Sequence, residues 1–229
     1  MSETLILVLS CVASYLFGSL PFGLWVGLII KGVDIRTLGS HNIGATNVLR
    51  VLGVGPGLLV FALDTFKGAA VLTTAKILFS AQNMSIPIWW QIIIVLFAIF
   101  GHTYSIFLNF KGGKGVATTL GALLALNPIV AAIGLSLWAI ILLLTKYVSL
   151  ASIIASASLP ILPLFLIKST DKWWLFGIGL AMFILITVKH RSNIQRLKDG
   201  TENKLWGNKK KTEESEGSPD AIASEEESV

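Results

Sequence analysis

Three segments of this sequence carry side chains suited to holding oxyanions. The first reads Asp34-Ile-Arg-Thr-Leu-Gly-Ser-His-Asn-Ile-Gly-Ala-Thr-Asn-Val-Leu-Arg50. Gly39 and Gly44 let backbone N–H groups converge, Ser40, Asn42 and Asn47 add neutral donors, and Arg50 offers a planar fork matched to phosphate oxygens. A plain interhelical turn also gathers Gly, Ser and Asn for its backbone angles, but it has no use for two arginines. The second segment, Phe110-Lys-Gly-Gly-Lys-Gly115, runs straight into an apolar stretch, as a glycine-rich turn opening a helix does. A helix N-terminus binds anions through free N–H groups and about half a positive charge. Lys111 and Lys114 add full charges to it, and Gly112, Gly113 and Gly115 supply the backbone of the cradle. The G-x-x-x-x-G-K-S/T spacing is absent and no strand precedes the turn, which argues against ATP hydrolysis. The bland account is a lysine pair at a membrane edge beside a flexible turn. The third segment reads Lys189-His-Arg-Ser-Asn-Ile-Gln-Arg-Leu-Lys-Asp-Gly200. On a helix it places His190, Asn193 and Leu197 on one stripe. A basic amphipathic stretch on anionic lipid explains the cations equally well, but the histidine and asparagine poorly.

The elements that must position these segments are membrane helices. The chain has 229 residues, 54% hydrophobic and only 14% charged, with mean hydropathy +0.76. Apolar stretches run over 5–30, 54–79, 88–108, 116–144, 148–167 and 173–188, and about 20 such residues suffice to span a bilayer. The leader Met1-Ser-Glu-Thr is acidic and the first apolar run too long for a signal peptide, so an uncleaved helix is expected there. Asn127-Pro128 breaks the fourth stretch, either as a kink or as a boundary between two short helices. Lys and Arg concentrate in 31–50, 109–115 and 189–211, which places all three segments on the cytoplasmic side. An even number of crossings must then separate them. The predicted fold is therefore an all-α integral membrane protein of about seven transmembrane helices, some short, with the N-terminus outside and the C-terminus cytoplasmic.

Residues 1–206 form the polytopic domain in this reading, and 207–229, with seven acids against three lysines, form a disordered charged tail. The basic residues lie at membrane edges and not on a soluble face, so no nucleic-acid partner is expected. The lone Cys11 excludes a disulfide framework and a cysteine-based zinc site. Within the spans, Asp64 and Lys67 sit at i, i+3 on the second helix, where charged residues usually pair and often mark function. Gly18-Ser-Leu-Pro21 interrupts the first helix, and His102 closes the third.

The Gly18–Pro21 break, the Gly39–Asn47 loop with Arg50, the Asp64-to-Lys67 element, Phe110–Gly115 and His190-Arg-Ser-Asn193 together resemble the bacterial acyl-phosphate-dependent glycerol-3-phosphate acyltransferases of the PlsY type. The resemblance spans most of residues 1–206. It implies a multi-pass enzyme of the cell membrane whose active site faces the cytoplasm, and which needs neither metal nor nucleotide cofactor. Its reaction moves a fatty acyl group from acyl phosphate to position 1 of sn-glycerol 3-phosphate, giving lysophosphatidate and phosphate, the first step of phosphatidic acid synthesis. Both substrates are anions, which matches the three cationic, donor-rich segments.

On this reading Ser40, Asn42, Asn47, Arg50, Lys67, Lys111, Gly112, Gly113 and Gly115 bind substrate, and His190, Asn193 and Lys114 are catalytic. The proton acceptor is either His190 or the substrate's own phosphate. Two positions depart from the family pattern: His41 stands where glycine is usual and Ser105 where proline is common. Membrane lipid is the expected surrounding, and no obligate protein partner is inferred. The rival reading is a transporter of an anionic phosphorylated metabolite, which would need a polar path across the whole bilayer.

Overall fold

The amino-terminal apolar run does not form one helix. The computed structural model, which describes residues 3–206, divides it into α1 (Glu3–Gly18) and α2 (Phe22–Lys31). Pro21 has no N–H to continue the ladder, and the carbonyls freed at the break are taken up by distant side chains. Ser105 Oγ donates to Ser19 O at 2.6 Å and Lys67 Nζ to Leu20 O at 2.9 Å. A serine at 105 therefore has a partner that a proline could not supply.

The chain continues through α3 (Ala45–Leu52), α4 (Val54–Ser80), α5 (Ile88–Thr103), α6 (Val116–Leu126), α7 (Pro128–Thr145), α8 (Val148–Ser158), α9 (Leu162–Leu166), α10 (Asp171–Lys189) and α11 (Arg191–Lys198). Among the described residues there is no strand. Five helical stretches are long and apolar enough to cross a membrane: Glu3–Lys31, Val54–Ser80, Ile88–Leu108, Pro128–Thr145 and Asp171–Lys189. Val116–Leu126 and Val148–Ser158 are shorter apolar helices. The protein is a multi-pass, all-helical membrane protein. The expected tail at 207–229 lies outside the described residues.

Asn127-Pro128 proves to be a boundary between two helices. Asn127 Oδ1 accepts from Val130 N at 3.1 Å, and Pro128 occupies the first turn of α7, where a missing N–H costs nothing. Lys76 Nζ meanwhile caps the end of α6 by donating to Ala125 O at 2.5 Å. The apolar run 148–167 also stops early, at Ser158, because Pro160 interrupts it; Pro163 sits in the first turn of α9.

Glycines set how closely the spans approach. A Cβ on Gly121 would lie 1.8 Å from Thr65 O, and one on Gly68 2.1 Å from Thr118 O, so α4 and α6 meet backbone to backbone. Gly18 against Ala98 O and Gly101 against Tyr15 O do the same for α1 and α5, both at 2.2 Å. Between helices in lipid, such close packing replaces the hydrophobic drive available in water. The α4–α6 contact delivers the 110–115 turn, and the α1–α5 contact the end of α5, to the same end of the bundle. Trp89 and Trp90 on α5 and Trp173 and Trp174 on α10 mark the opposite end, as interfacial tryptophans do.

Candidate active site

Residues from all three basic segments line one polar cavity of about 110 Å³, among them Ser40, Asn42, Asn47, Arg50, Lys114, Gly115, His190 and Asn193. In the first segment, Asp34 caps a short 3-10 turn, Ile35–Thr37, and pairs with Arg36 at 2.6 Å. That hydrogen-bonded arginine holds the Asp34 carboxyl below its ordinary value, and it removes Arg36 from the cavity's charge.

Asn47 was expected to bind substrate, but its side chain is consumed by the loop itself. Its Oδ1 accepts from Ser40 N at 2.7 Å, and its Nδ2 donates to Ile35 O, Leu38 O and Asn42 O at 3.0, 3.0 and 2.9 Å. With every donor and acceptor occupied, Asn47 shapes the loop, leaving Ser40 and Asn42 to meet a ligand. Asn42 spends only its oxygen, on Gly44 N at 2.9 Å. Arg50 donates from Nη2 to Asn203 O at 3.1 Å, while its buried Nε has no protein partner and is a donor awaiting an acceptor. His41 takes the positive φ of 56° that glycine would adopt without strain, and its Nδ1 lies 3.1 Å from Arg36 O.

The second segment also divides. Gly112 N donates to Thr103 O at 3.2 Å and Gly113 N to His102 O at 3.0 Å, so these two N–H groups dock the turn onto α5 and are unavailable to an oxyanion. Lys111 is exposed and lies outside the cavity lining, and Lys67 is bound to Asp64 at 2.7 Å and to the α1–α2 break. Gly112, Gly113, Lys111 and Lys67 therefore stand outside the cavity lining, with the two glycine N–H groups and the Lys67 ammonium already partnered. The anion cradle lies slightly further on: Gly115 at φ +82° turns the chain into α6, whose first turn, with Val116 and Ala117, lines the cavity. N–H groups in a first turn have no partner within their own helix.

His190 joins α10 to α11 and points Nδ1 at Ile186 O, 2.8 Å away. Only a protonated Nδ1 bonds a carbonyl, so Nε2 carries the lone pair. Burial, followed by the charge of Lys114, lowers its pKa to about 4. Between pH 6.5 and 4 the unfolded chain thus takes up a proton the folded one refuses, and folding weakens as pH falls through that window. Lys114 Nζ donates to Asn193 Oδ1 at 2.5 Å, and burial, the largest cause, lowers the ammonium to about 8.

Sequence reasoning missed Glu202. Its Oε1 accepts from Ser149 Oγ and Asn193 Nδ2, both at 2.7 Å, and its Oε2 from Arg196 Nε at 2.7 Å. Burial alone would raise this carboxyl, but those donors outweigh it and hold the group below its ordinary range. Ser149 and Ser152 line the cavity and were missed too. With Ser156 they form a buried stripe at helical spacing, a signal present in the sequence. Below Phe61, Val116, Trp138 and Ser152 the cavity opens into an apolar trough lined by Leu123, Ala131, Gly134, Leu135 and Leu159.

A pH dependence follows from Lys114, because only its ammonium form attracts an anion. The value of kcat/KM for a phosphorylated acceptor, which reports the free protein, is expected to fall as pH rises through about 8. A Lys114→Met variant should lack that limb in the same rate-versus-pH measurement.

Comparison with known proteins gives a consistent set of relatives. The sequence pattern of the glycerol-3-phosphate acyltransferase family matches residues 8–200. A glycerol-3-phosphate acyltransferase of Fusobacterium nucleatum is 42% identical over 194 residues, covering 85% of this chain and 95% of that protein. One from Geobacter sulfurreducens is 43% identical over 199 residues, covering 87% and 97%. Among solved structures, the integral membrane glycerol 3-phosphate acyltransferase PlsY in its glycerol 3-phosphate form aligns with TM-score 0.77 at 38% identity, over 88% of this chain and 96% of that one. Its lysophosphatidic acid form aligns with TM-score 0.74 at 39% identity, over 86% and 94%.

Proposed function

This chain belongs to the glycerol-3-phosphate acyltransferase family, and from that membership we propose that it moves a fatty acyl group from acyl phosphate to the position-1 hydroxyl of sn-glycerol 3-phosphate. The observation that carries the proposal is the junction of an anion-binding cavity with an apolar trough beneath Trp138 and Ser152. An activated donor with a phosphate head and a hydrocarbon tail fits such a junction end to end. The acceptor's hydroxyl oxygen bonds to the acyl carbon, the carbon–oxygen bond to phosphate breaks, and lysophosphatidate and phosphate result. Phosphate is already a good leaving group, so no covalent acyl-protein is needed. Cys11, buried in α1, is far from the cavity lining.

Arg50, Lys114 and the first turn of α6 hold phosphate oxygens and the developing oxyanion, while Ser40, Asn42 and Asn193 orient the acceptor. Positioning of this kind is worth about 7–11 kcal/mol and an oxyanion donor roughly 3–4 kcal/mol in favourable cases. His190, at about 4, is a weak base; a substrate phosphate, with a second pKa near 6, is better matched to accept the hydroxyl proton near neutrality. His190 then takes no proton: its Nδ1–H stays on Ile186 O, and Nε2 accepts a hydrogen bond.

Seven crossings remain our reading of the topology. The turn at Lys146 and Tyr147 returns to the cavity end, because Leu205 N donates to Lys146 O at 2.8 Å and Ser149 bonds Glu202. The α6–α7 pair thus leaves and comes back, and α8 with α10 does the same. With three basic segments gathered at that end, it faces the cytoplasm of a cell-membrane protein.

The test uses purified protein with palmitoyl phosphate and glycerol 3-phosphate, with palmitoyl-CoA and acyl carrier protein thioester as separate donors. Lysophosphatidate and phosphate should appear with the first donor alone. Uptake of glycerol 3-phosphate into sealed vesicles without acylated product would support the transporter instead.

The trough makes its own prediction. A Cβ on Gly134 would meet only Leu159 Cδ2, at 3.5 Å, so a larger side chain enters the trough without striking backbone. Gly134→Leu should favour shorter acyl phosphates by about 10- to 100-fold in relative kcat/KM. The KM for glycerol 3-phosphate should not change in the same assays.

A further inference from the structure

In the wall of the cavity, whose lining includes Asp64 and His102, sits a buried cluster that the reaction as described does not use: Asp64 on α4, Lys67 one turn on, and His102 at the end of α5. All three are at most 3% exposed. Lys67 Nζ sits 2.7 Å from Asp64 Oδ1, and His102 Nδ1 lies 3.6 Å from the same oxygen. An imidazole beside a carboxylate suggests a proton-abstracting pair, but the other side of the ring contradicts that role. A Cβ on Gly113 would lie 2.2 Å from His102 Nε2 and 2.8 Å from its Cε1. The nitrogen that a base would turn toward substrate is covered by the glycine turn.

The contact is too extensive to be incidental. Gly113 N bonds the carbonyl of His102 itself, and Gly112 N that of Thr103. A Cβ on Gly112 would lie 2.0 Å from His102 O. The turn therefore rests on one residue, backbone on backbone and backbone on ring, and only glycine fits at 112 and 113. Immediately after this contact come Lys114, whose ammonium enters the cavity, and Gly115, which starts α6. The far side of the ring faces Asp64 at 3.6 Å, and Lys67 supplies the charge that lets Asp64 stay buried beside it.

We propose that His102 is a positioning residue for the anion-binding turn: its imidazole is the seat that places Lys114 and the first turn of α6 against the phosphate. This rests on the reading that the turn holds a substrate phosphate. It assigns His102 no contact with the reacting atoms. It also explains two glycines whose N–H groups never reach the cavity.

The experiment measures KM for glycerol 3-phosphate and kcat separately, in the full-length purified protein with palmitoyl phosphate as donor. His102→Ala removes the seat and should raise KM about 10- to 100-fold, the scale of an ångström-sized misplacement, with kcat falling as well because the same turn faces the developing oxyanion. Gly113→Ala alone should do the same, by collision with the ring. Combined, the two should be no worse than His102→Ala, because the added methyl occupies the space the ring vacates. Independent effects would multiply. His102→Gln serves if His102→Ala does not fold: its flexible end can yield to the methyl, so Gly113→Ala should cost less in that background than in the wild type.

Multiplying KM effects, or a loss confined to kcat, would overturn the seat. Inactivity of the wild type with palmitoyl phosphate would instead sink the reaction proposed above. In that event the same epistasis remains readable in the calorimetric Kd for glycerol 3-phosphate, and multiplied losses there would again overturn the seat.

Discussion

Lys114→Met is expected to lower kcat/KM for glycerol 3-phosphate acylation by about 10²- to 10³-fold, the cost of losing one preorganised oxyanion donor. Three features put the effect at that scale. The ammonium lies in the cavity lining, directly after the docked turn. It is held by Asn193 Oδ1 at 2.5 Å, so it needs no reorganisation when an anion arrives. Burial lowers it to about 8, which means the empty site holds this charge at a cost. A bound phosphate offsets that cost. Removing the charge should therefore leave the thermal midpoint in detergent unchanged or higher while activity collapses. Lys114→Arg should not restore the rate, because a planar fork cannot replace a compact ammonium in a cavity of about 110 Å³. Activity within a fewfold of wild type would remove Lys114 from the substrate site.

Glu202→Ala should cost stability as well as activity. The Arg196 side chain is 38% exposed and finds water when the pair is broken, so that pair adds little, while each buried donor left without its acceptor costs about 1–3 kcal/mol. Ser149 and Asn193 also lose their acceptor, and Asn193 is then free to swing away from Lys114. The expected result is a lower thermal midpoint, followed by weak activity in the fraction that remains folded. The sign of the pH effect is fixed. A carboxyl held below its ordinary range stabilises fully above that range, and the contribution is lost as pH falls through the lowered value. Glu202→Ala should therefore flatten the acid limb of the stability profile, read as thermal midpoint against pH. An unchanged midpoint would mean that the segment after α11 does not hold the site together.

Much of the site was readable from residue type, and the limits are instructive. Ser40 and Arg50 in the first segment, and Lys114 and Gly115 in the second, line the cavity, and they could be singled out because a helix start and a tight loop can be recognised locally. The helix boundary at Asn127-Pro128 was legible for the same reason, since cap and proline lie side by side. Asn47 was misread because its type says only that it can donate and accept. Which carbonyls it meets depends on the path of residues 35–42. Lys67 was misread because its second partner, Leu20 O, comes from a helix break 47 residues earlier. Glu202 was passed over because it follows the last helix, after Gly200, and one of its partners, Ser149, lies 53 residues back. It also falls just past residues 8–200, where the family pattern ends. Long-range polar partners of this kind leave no periodic trace.

The trough beneath Trp138 is walled in part by Leu135, which is 41% exposed. The catalytic chamber thus has a wet doorway and an oily window. In the proposed reaction inorganic phosphate would depart through the first into water, while the newly made lipid would slide through the second into its own leaflet without lifting its tail past the charged rim. Turnover should then depend on how readily the surrounding bilayer receives that tail, so chain packing in the membrane becomes a kinetic variable of the enzyme.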